Sequence, residues 1–242
     1  MRESTRLILV RHGESQWNRD SRFTGWADVD LTAQGIVQMR GAARALREAG
    51  IDFDLAYSSV LHRCIRSLWI LLEAMDCTWV PQILDWRLNE RHYGALTGRS
   101  KSDAELQYGE ATVLRWRRSY YAQPPALDAA AAAYITIDRR YAGLAPGDIP
   151  VGESLQQTVV RVREVWQQSI SIALRANRSV AIIGHGNSLR ALIKTVENLS
   201  DADIVRVEVD NGVPIVYELD AELQPYCKRV LSVAPRRTSE IL

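Results

Sequence analysis

Short apolar runs along the chain alternate with longer stretches in which apolar positions recur at helical spacing. Five runs have the length and composition of strands: Leu7–Val10, Asp54–Ser58, Ser179–Ile183, Val213–Leu219 and Tyr226–Val230. The first is wholly apolar, which is typical of a strand buried inside a parallel sheet. The last two lie close together in the sequence and predict a hairpin that turns through Asp220–Gln224.

Amphipathic stretches between these runs predict helices. The pattern indicates helices over Thr32–Ala49, Val60–Glu73, Glu153–Arg175, and from Asn187 or Ser188 to Glu197. Gly50 stands where the end of a helix favours glycine. Ser58 and Ser59 are residue types that cap a helix N-terminus, so we expect one of them to start the second helix.

Strands that alternate with helices are typical of an α/β fold. We expect one domain over residues 1–242, a three-layer sandwich with a mostly parallel sheet flanked by helices. Residues 87–152 depart from this pattern, since they are rich in Arg, Tyr, Pro and Gly and hold too few apolar residues for a separate core. They predict an insertion that covers the functional site of the domain. Within it, Ala129–Ala133 is expected to form a helical turn or a loose loop.

Composition narrows the possible partners. The 242 residues include 30 basic and 29 acidic side chains and carry a net charge of +1. This balance argues against a broad nucleic-acid or membrane surface, so any cationic site must be a local cluster. Three cysteines without CxxC spacing predict neither a disulfide framework nor a zinc ribbon. The apolar run near the N-terminus is too short for a signal peptide, which predicts a cytoplasmic protein.

Two histidines follow predicted strands directly. His12 stands between Arg11 and Gly13, and His185 stands between Gly184 and Gly186. Because ligands of open α/β sheets gather at the carboxyl ends of the strands, the two imidazoles are expected to face one crevice. A structural histidine and a zinc ligand are the alternatives. The absence of HxH and HxxxH spacings, and the cations around both histidines, argue against zinc binding.

Further charged residues cluster around these strand ends and in the insertion. Arg63 lies one turn into the second predicted helix, and Glu90 is a carboxylate suited to general acid–base chemistry. The other cations of interest are Arg91, Lys101, Arg117 and Arg118. Any one arginine is equally well explained as a surface charge. Together they indicate a pocket for a small, strongly anionic molecule.

Five sequence motifs carry a resemblance to a known family. LVRHGES at 9–15 resembles the signature of the histidine phosphatase superfamily. Together with RFTGW at 22–26, LNERHYG at 88–94, WRR at 116–118 and GHGNSLRAL at 184–192, it resembles the 2,3-bisphosphoglycerate-dependent phosphoglycerate mutases. The resemblance runs from about residue 5 to residue 231, and motifs in this order are specific.

The resemblance implies a phosphoglycerate mutase-like fold and a role for each matching residue. His12 corresponds to the nucleophile that becomes phosphohistidine, and Glu90 to the proton donor and acceptor for the substrate hydroxyl. Other residues correspond to groups that hold the transferred phosphoryl oxygens: Arg11, Arg63, His185, Gly186 and Asn187. The remaining substrate-binding positions are Ser15, Asn18, Thr24, Gly25, Arg91, Tyr93, Lys101, Arg117 and Arg118.

The implied activity is interconversion of 3-phosphoglycerate and 2-phosphoglycerate, primed by 2,3-bisphosphoglycerate, without a metal, in a homodimer or homotetramer. The first alternative is a phosphatase that acts on a small phosphorylated metabolite through the same His12 chemistry. The second is a catalytically silent binding protein that retains the anion pocket. The presence of both histidines and Glu90 argues against the silent protein.

Three segments depart from the family pattern. Asp128 and five alanines replace an acidic, proline-containing stretch, and Asp210-Asn211-Gly212 replaces Pro-Thr-Gly. The segment 231–242 is shorter than the lysine-rich tail of typical members. Since closing segments keep water away from a phosphorylated intermediate, we expect a looser cover and a raised side activity that hydrolyses 2,3-bisphosphoglycerate.

Overall fold

A six-stranded mixed sheet forms the centre of the protein. The computed structural model describes residues 5–233. Its strands are β1 (Thr5–Arg11), β2 (Leu55–Ser58), β3 (Gln82–Leu84), β4 (Val180–Gly184), β5 (Pro214–Leu219) and β6 (Pro225–Val230). The spatial order is β3-β2-β4-β1-β5-β6. The first four strands in this order run parallel, and β5 and β6 form the predicted antiparallel hairpin.

Helices cover both faces of the sheet. They are α1 (Gln16–Arg19), α2 (Ala33–Glu48), α3 (His62–Ala74), α4 (Lys101–Tyr108), α5 (Glu110–Arg118), α6 (Ala129–Thr136), α7 (Leu155–Val165), α8 (Ser171–Arg175) and α9 (Gly186–Val196). A π-helical turn, Trp166–Ile170, joins α7 to α8. The long helix predicted over Glu153–Arg175 is therefore present, begins after the capping residue Ser154, and contains one π-turn.

Alternating side chains of β1 divide the core into two clusters. Leu7 and Leu9 pack with α7 and α9 on one face, whereas Ile8 and Val10 pack with α2 and α3 on the other. Both faces of the strand are fully buried, as a wholly apolar run requires. This arrangement confirms the predicted three-layer α/β fold.

Several local predictions need correction. The second predicted helix begins at His62 rather than Val60, and neither Ser58 nor Ser59 caps it. The short edge strand β3 was not predicted, because a run of only three residues, Gln82–Leu84, does not stand out as a strand in the sequence. The alanine tract forms most of α6, whose N-terminus is capped by Asp128, which agrees with the helical alternative but is longer than one turn, and excludes the loose loop.

The insertion also contains unpredicted helices. Residues 87–152 include α4 and α5, which pack against each other, and they carry the predicted cations Lys101, Arg117 and Arg118. The division into one domain with an insertion stays a prediction. Of the tail at 231–242, residues 234–242 lie outside the described part of the chain. Within residues 5–233, no helix is long and apolar enough to cross a bilayer.

Candidate active site

The carboxyl ends of β1 and β4 bring the two predicted histidines together. Arg11 and Gly184 are register partners, and the backbone N–H of His12 donates to Gly184 O at 3.0 Å. The imidazole rings of His12 and His185 lie edge to face with centroids 5.0 Å apart. Gly13 makes this turn possible, since a Cβ there would lie 2.2 Å from the carbonyl oxygen of Gly35.

His12 is held as a neutral imidazole. Its Nδ1 lies 2.7 Å from Gly13 O, and because a carbonyl only accepts, Nδ1 carries the proton and Nε2 presents a lone pair. Burial, with the nearby charges of Arg63 and Arg11, holds the pKa of His12 well below its usual value. The imidazole is therefore neutral near pH 7, with Nε2 free of a proton, as covalent catalysis requires.

Arg63 fixes a positive charge beside His12. Its side chain is fully buried, and its two terminal nitrogens donate to Ala27 O and Gly25 O, each at 2.8 Å. Its Nε lies 3.3 Å from His12 Nε2. A guanidinium held in this way can neutralise the oxygens of a phosphoryl group on His12.

His185 lies behind His12 and begins α9. The side chain is fully buried, and its Nε2 lies 2.8 Å from Ser59 Oγ and 3.3 Å from Cys64 Sγ. Burial and the neighbouring charges of Arg63 and Arg11 hold its pKa well below the usual value. The first amides of α9 follow directly, and a helix N-terminus favours an anion.

Glu90 faces Arg11 across Gly186. Its Oε1 accepts hydrogen bonds from the backbone N–H groups of Asn187 at 3.0 Å and Arg91 at 2.8 Å. Gly186 lies between the two groups, since a Cβ built on it would be 3.7 Å from both Glu90 Oε2 and Arg11 Cζ. The second carboxylate oxygen makes neither of these bonds and lies near Arg11 at the end of β1, a position suited to proton transfer.

A buried ion pair, not predicted from the sequence, holds the segment that carries Glu90. Arg161 on α7 forms two bonds to Glu153, at 2.7 and 2.8 Å, and also donates to the carbonyl oxygens of Arg87, Asn89 and Glu90. Glu153 in turn accepts from the backbone N–H of His92 at 2.7 Å. Arg161 and Glu153 therefore fix the backbone on both sides of Glu90.

Of these groups, Arg11, His12, Arg63 and Glu90 border a cavity of about 270 Å³, whereas the predicted residue His185 is fully buried and is not among the residues that line it. The predicted residues that line it are Arg11, His12, Asn18, Thr24, Gly25, Arg63, Glu90, Tyr93, Lys101, Arg117, Arg118, Gly186 and Asn187. Lining residues that the sequence analysis did not single out are Arg22, Phe23, Arg190, Val207, Glu208, Val209 and Asp210. Arg22 lies in the RFTGW motif and Arg190 in the GHGNSLRAL motif. Membership of these motifs is the sequence signal from which both residues could have been predicted.

Four cations surround the part of the cavity formed by the insertion and α9, and we call them the rim: Lys101, Arg117, Arg118 and Arg190. Burial and Arg117 lower the pKa of Lys101, and burial with Arg91 lowers the pKa of Arg190 to about 10. Arg190 donates to Asn187 Oδ1 at 3.1 Å, and Arg118 pairs with Glu208 at 2.8 Å. The mutual influence of these cations indicates a strongly positive rim that suits a second anionic group.

Two predicted substrate-binding residues lie outside the cavity lining. Ser15 is fully buried, and its hydroxyl accepts from Asn18 N at 3.2 Å to cap α1. Arg91 is also fully buried, with its guanidinium 4.7 Å from the centre of the Tyr93 ring. These contacts support neighbouring lining residues, and direct binding roles for Ser15 and Arg91 stay predictions.

The altered loop at 210–212 is bonded to the strand end that carries His12. Asn211 Nδ2 donates to His12 O at 2.7 Å, and Gly212 N donates to Arg11 O at 2.9 Å. This loop therefore supports the backbone of the strand end in addition to bordering the cavity. Among residues 5–233, no group of three or more His, Cys, Asp and Glu side chains is placed to hold a metal ion.

Solved structures with this fold include three that carry phosphatase names. A candidate α-ribazole-5′-phosphate phosphatase from Escherichia coli K-12 matches with a TM-score of 0.70 at 23% identity, over 95% of this chain and 96% of that chain. Mycobacterial glucosyl-3-phosphoglycerate phosphatase matches with a TM-score of 0.70 at 21% identity, over 94% and 97%. The α-ribazole phosphatase from Shigella flexneri matches with a TM-score of 0.67 at 24% identity, over 94% and 96%.

A family profile gives the assignment. Residues 7–225 match the profile of the histidine phosphatase superfamily (branch 1), a span that includes both histidines, Glu90 and the cation rim. The chain belongs to the histidine phosphatase superfamily, branch 1.

Proposed function

We propose that this enzyme is a phosphoglycerate mutase, which interconverts 3-phosphoglycerate and 2-phosphoglycerate through a phosphohistidine at His12. It is primed by 2,3-bisphosphoglycerate and needs no metal. The observation that carries the proposal is that two separate groups of cations line one cavity: the strand-end group with Arg63, and the rim with Lys101, Arg117, Arg118 and Arg190. A substrate with a phosphate at one end and a carboxylate or second phosphate at the other matches this division.

The chain's own residues support a two-step phosphoryl transfer. His12 Nε2 attacks the phosphorus, a P–N bond forms, and the P–O bond to the departing hydroxyl breaks. Glu90 supplies the proton that this oxygen takes up, and recovers a proton when a hydroxyl attacks phosphohistidine in the second step. Arg11 and Arg63 neutralise the charge on the phosphoryl oxygens.

In a mutase the bisphosphorylated intermediate must rotate inside the site between these two steps. The rim can hold the acid end during that rotation, because its cations lie on α4, α5 and α9 rather than at the strand ends. A small lining residue, Gly25, lies beside the phosphoryl region, and its carbonyl is already bound to Arg63. We therefore assign retention of the rotating intermediate to the cations of the rim.

A phosphatase is the second candidate, favoured by the phosphatase names of the structures with this fold. In that case water, rather than a phosphoglycerate hydroxyl, attacks phosphohistidine. The first step and its residues are the same for both candidates. The difference lies in whether the bound acid or water accepts the phosphoryl group.

The ratio of two rates on one preparation tests the proposal. We expect isomerisation of 3- to 2-phosphoglycerate, with 2,3-bisphosphoglycerate present, to exceed phosphate release, and both rates to persist in excess EDTA. His12→Ala, which removes the nucleophile, is the blank for contaminating enzymes. Phosphate release equal to or above isomerisation would replace the mutase with the phosphatase. Loss of both activities on chelation, with recovery on adding Mn²⁺ or Zn²⁺, would refute metal independence.

A further inference from the structure

Ser59 has a buried contact that its position in the sequence does not suggest. It lies between β2 and α3, where a serine commonly caps a helix, yet α3 starts from Leu61 without a side-chain cap. Instead, the Ser59 hydroxyl lies 2.8 Å from Nε2 of His185, a residue 126 positions away in the chain. Both residues are fully buried, so water cannot replace this bond.

The neighbours of Ser59 determine the direction of the bond. The backbone N–H of Leu61 donates to Ser59 Oγ at 3.3 Å, which uses one of the hydroxyl's acceptor positions. Its single proton then needs an acceptor, and the imidazole nitrogen at 2.8 Å is the strong one. Cys64 Sγ lies close to the same nitrogen, but sulfur is a weak acceptor for the Ser59 proton. The Cys64 thiol itself donates to Gly184 O, with Sγ 3.4 Å from that oxygen.

The other ring nitrogen of His185 is buried without a partner among the described residues. If Nε2 accepts from Ser59, neutral His185 carries its proton on Nδ1, and this N–H is a donor without an acceptor. A phosphoryl oxygen on the adjacent His12 can satisfy that donor. The opposite tautomer leaves a lone pair at Nδ1, which would repel an anion, and gives the Ser59 proton no strong acceptor.

We propose that Ser59 is a positioning residue that holds His185 in the Nδ1–H tautomer, so that His185 donates a hydrogen bond to the phosphoryl group transferred to His12. The inference rests on the proposed phosphohistidine chemistry for the identity of that acceptor. The tautomer itself can be measured without any substrate, which separates the two claims.

The first test is ¹⁵N NMR of protein labelled at histidine, with the His185 signals assigned by their loss in His185→Gln. Wild-type protein is expected to show neutral His185 with the proton on Nδ1. Ser59→Ala should move most of that proton to Nε2, whereas Ser59→Cys, which retains a weak donor, should move less of it. Ser58→Ala is the matched control, since Ser58 is equally buried and its hydroxyl donates to Ser59 O instead of His185.

The second test is the rate of phosphohistidine formation from labelled 2,3-bisphosphoglycerate. Ser59→Ala should lower the maximal rate by at least about tenfold with little change in KM, because a wrong histidine tautomer impairs catalysis rather than binding. Ser58→Ala should keep the wild-type rate. A lesser loss in Ser59→Cys than in Ser59→Ala would support positioning.

Wild-type His185 protonated on Nε2, or an unchanged tautomer in Ser59→Ala, overturns the inference. An unchanged rate in Ser59→Ala overturns it as well. If the tautomer shifts as expected but wild-type protein forms no phosphohistidine, the tautomer assignment holds, and the proposed chemistry at His12 is what fails.

Discussion

The strand-end centre and the cation rim share one cavity but are built differently. At the centre, His12, Arg63 and His185 are each no more than 2% exposed, and backbone carbonyls or buried hydroxyls fix their orientation. At the rim, the side chains of Arg117 and Arg118 are 30% and 41% exposed, and their acidic partners are also partly open to solvent. The centre is a part of the core, whereas the rim is a surface.

This difference separates chemistry from recognition. A buried polar group must keep its partners, since leaving one unsatisfied costs about 1–3 kcal/mol, so the centre tolerates few changes. An exposed ion pair contributes about 0–1 kcal/mol to folding, so rim residues can change without loss of the fold. We therefore expect substitutions at the centre to abolish phosphoryl transfer and substitutions at the rim to change which anion binds.

The largest effect is expected from His12→Ala. Removing a nucleophile that acts with its neighbours as a unit should lower phosphoryl transfer by about 10⁴-fold or more. Incubation with ³²P-labelled 2,3-bisphosphoglycerate should leave acid-labile, base-stable label on wild-type protein and none on the variant. His62→Ala, at an exposed histidine on α3, is the control. Label that survives in His12→Ala would exclude His12 as the nucleophile.

The next largest effect concerns the buried ion pair that supports Glu90. Arg161→Met leaves Glu153 without its cationic partner and removes the donors to three carbonyl groups, which should lower the free energy of unfolding by about 3–5 kcal/mol. Chemical denaturation measures this change. Arg163→Met, at an exposed position of the same helix, should change it by about 0.5 kcal/mol or less. Equal losses in the two variants would contradict a special role for Arg161.

The sequence could predict the centre because local rules apply there. An apolar run that ends in Arg11-His12-Gly13 gives both the strand and the place of its polar end, and the second histidine repeats the arrangement at β4. Fold class follows from the same alternation of strands and helices. The motifs then supplied candidate positions in the insertion, although its helices α4 and α5 were not predicted.

The supporting contacts could not be predicted because they depend on distant partners. Ser59 has the sequence context of a helix cap, and only the folded sheet shows that its hydroxyl meets His185. Arg161 is one of many arginines on amphipathic helices, and three of its acceptors are backbone carbonyls, which have no sequence signal. The neighbours that orient a catalytic residue are thus the least visible part of a site.

A third prediction extends the comparison to pH. Burial lowers the pKa of His92, two residues after Glu90, to about 4 from a usual value of 6.5. Between these values the unfolded chain binds a proton that the folded chain does not, so stability falls as pH falls through this window. His92 alone should account for about 2 kcal/mol of lost stability between pH 7 and pH 5.

His92→Gln removes this titration and tests its size. Its free energy of unfolding should decline less steeply between pH 7 and pH 5 than that of wild-type protein, measured by denaturation at several pH values. Some decline should remain in the variant, because burial also lowers the pKa values of His12 and His185 at the centre. Parallel curves for the two proteins would show that His92 is not a buried neutral group.

The smallest expected effect comes from the rim and tests the comparison most directly. In Arg118→Ala, one partly exposed cation is lost, and its partner Glu208 is left in solvent. A hydrogen bond to a charged group contributes about 1.5–3 kcal/mol, reduced here by exposure, so KM for 3-phosphoglycerate should rise about tenfold. The rate of transfer from p-nitrophenyl phosphate, which has no acid group for the rim, should stay within about twofold of wild type. Arg115→Ala, at an exposed position of the same helix outside the cavity lining, should change neither value. If Arg118→Ala slows both reactions equally, the rim and the centre act as one unit, and their separation into recognition and chemistry is wrong.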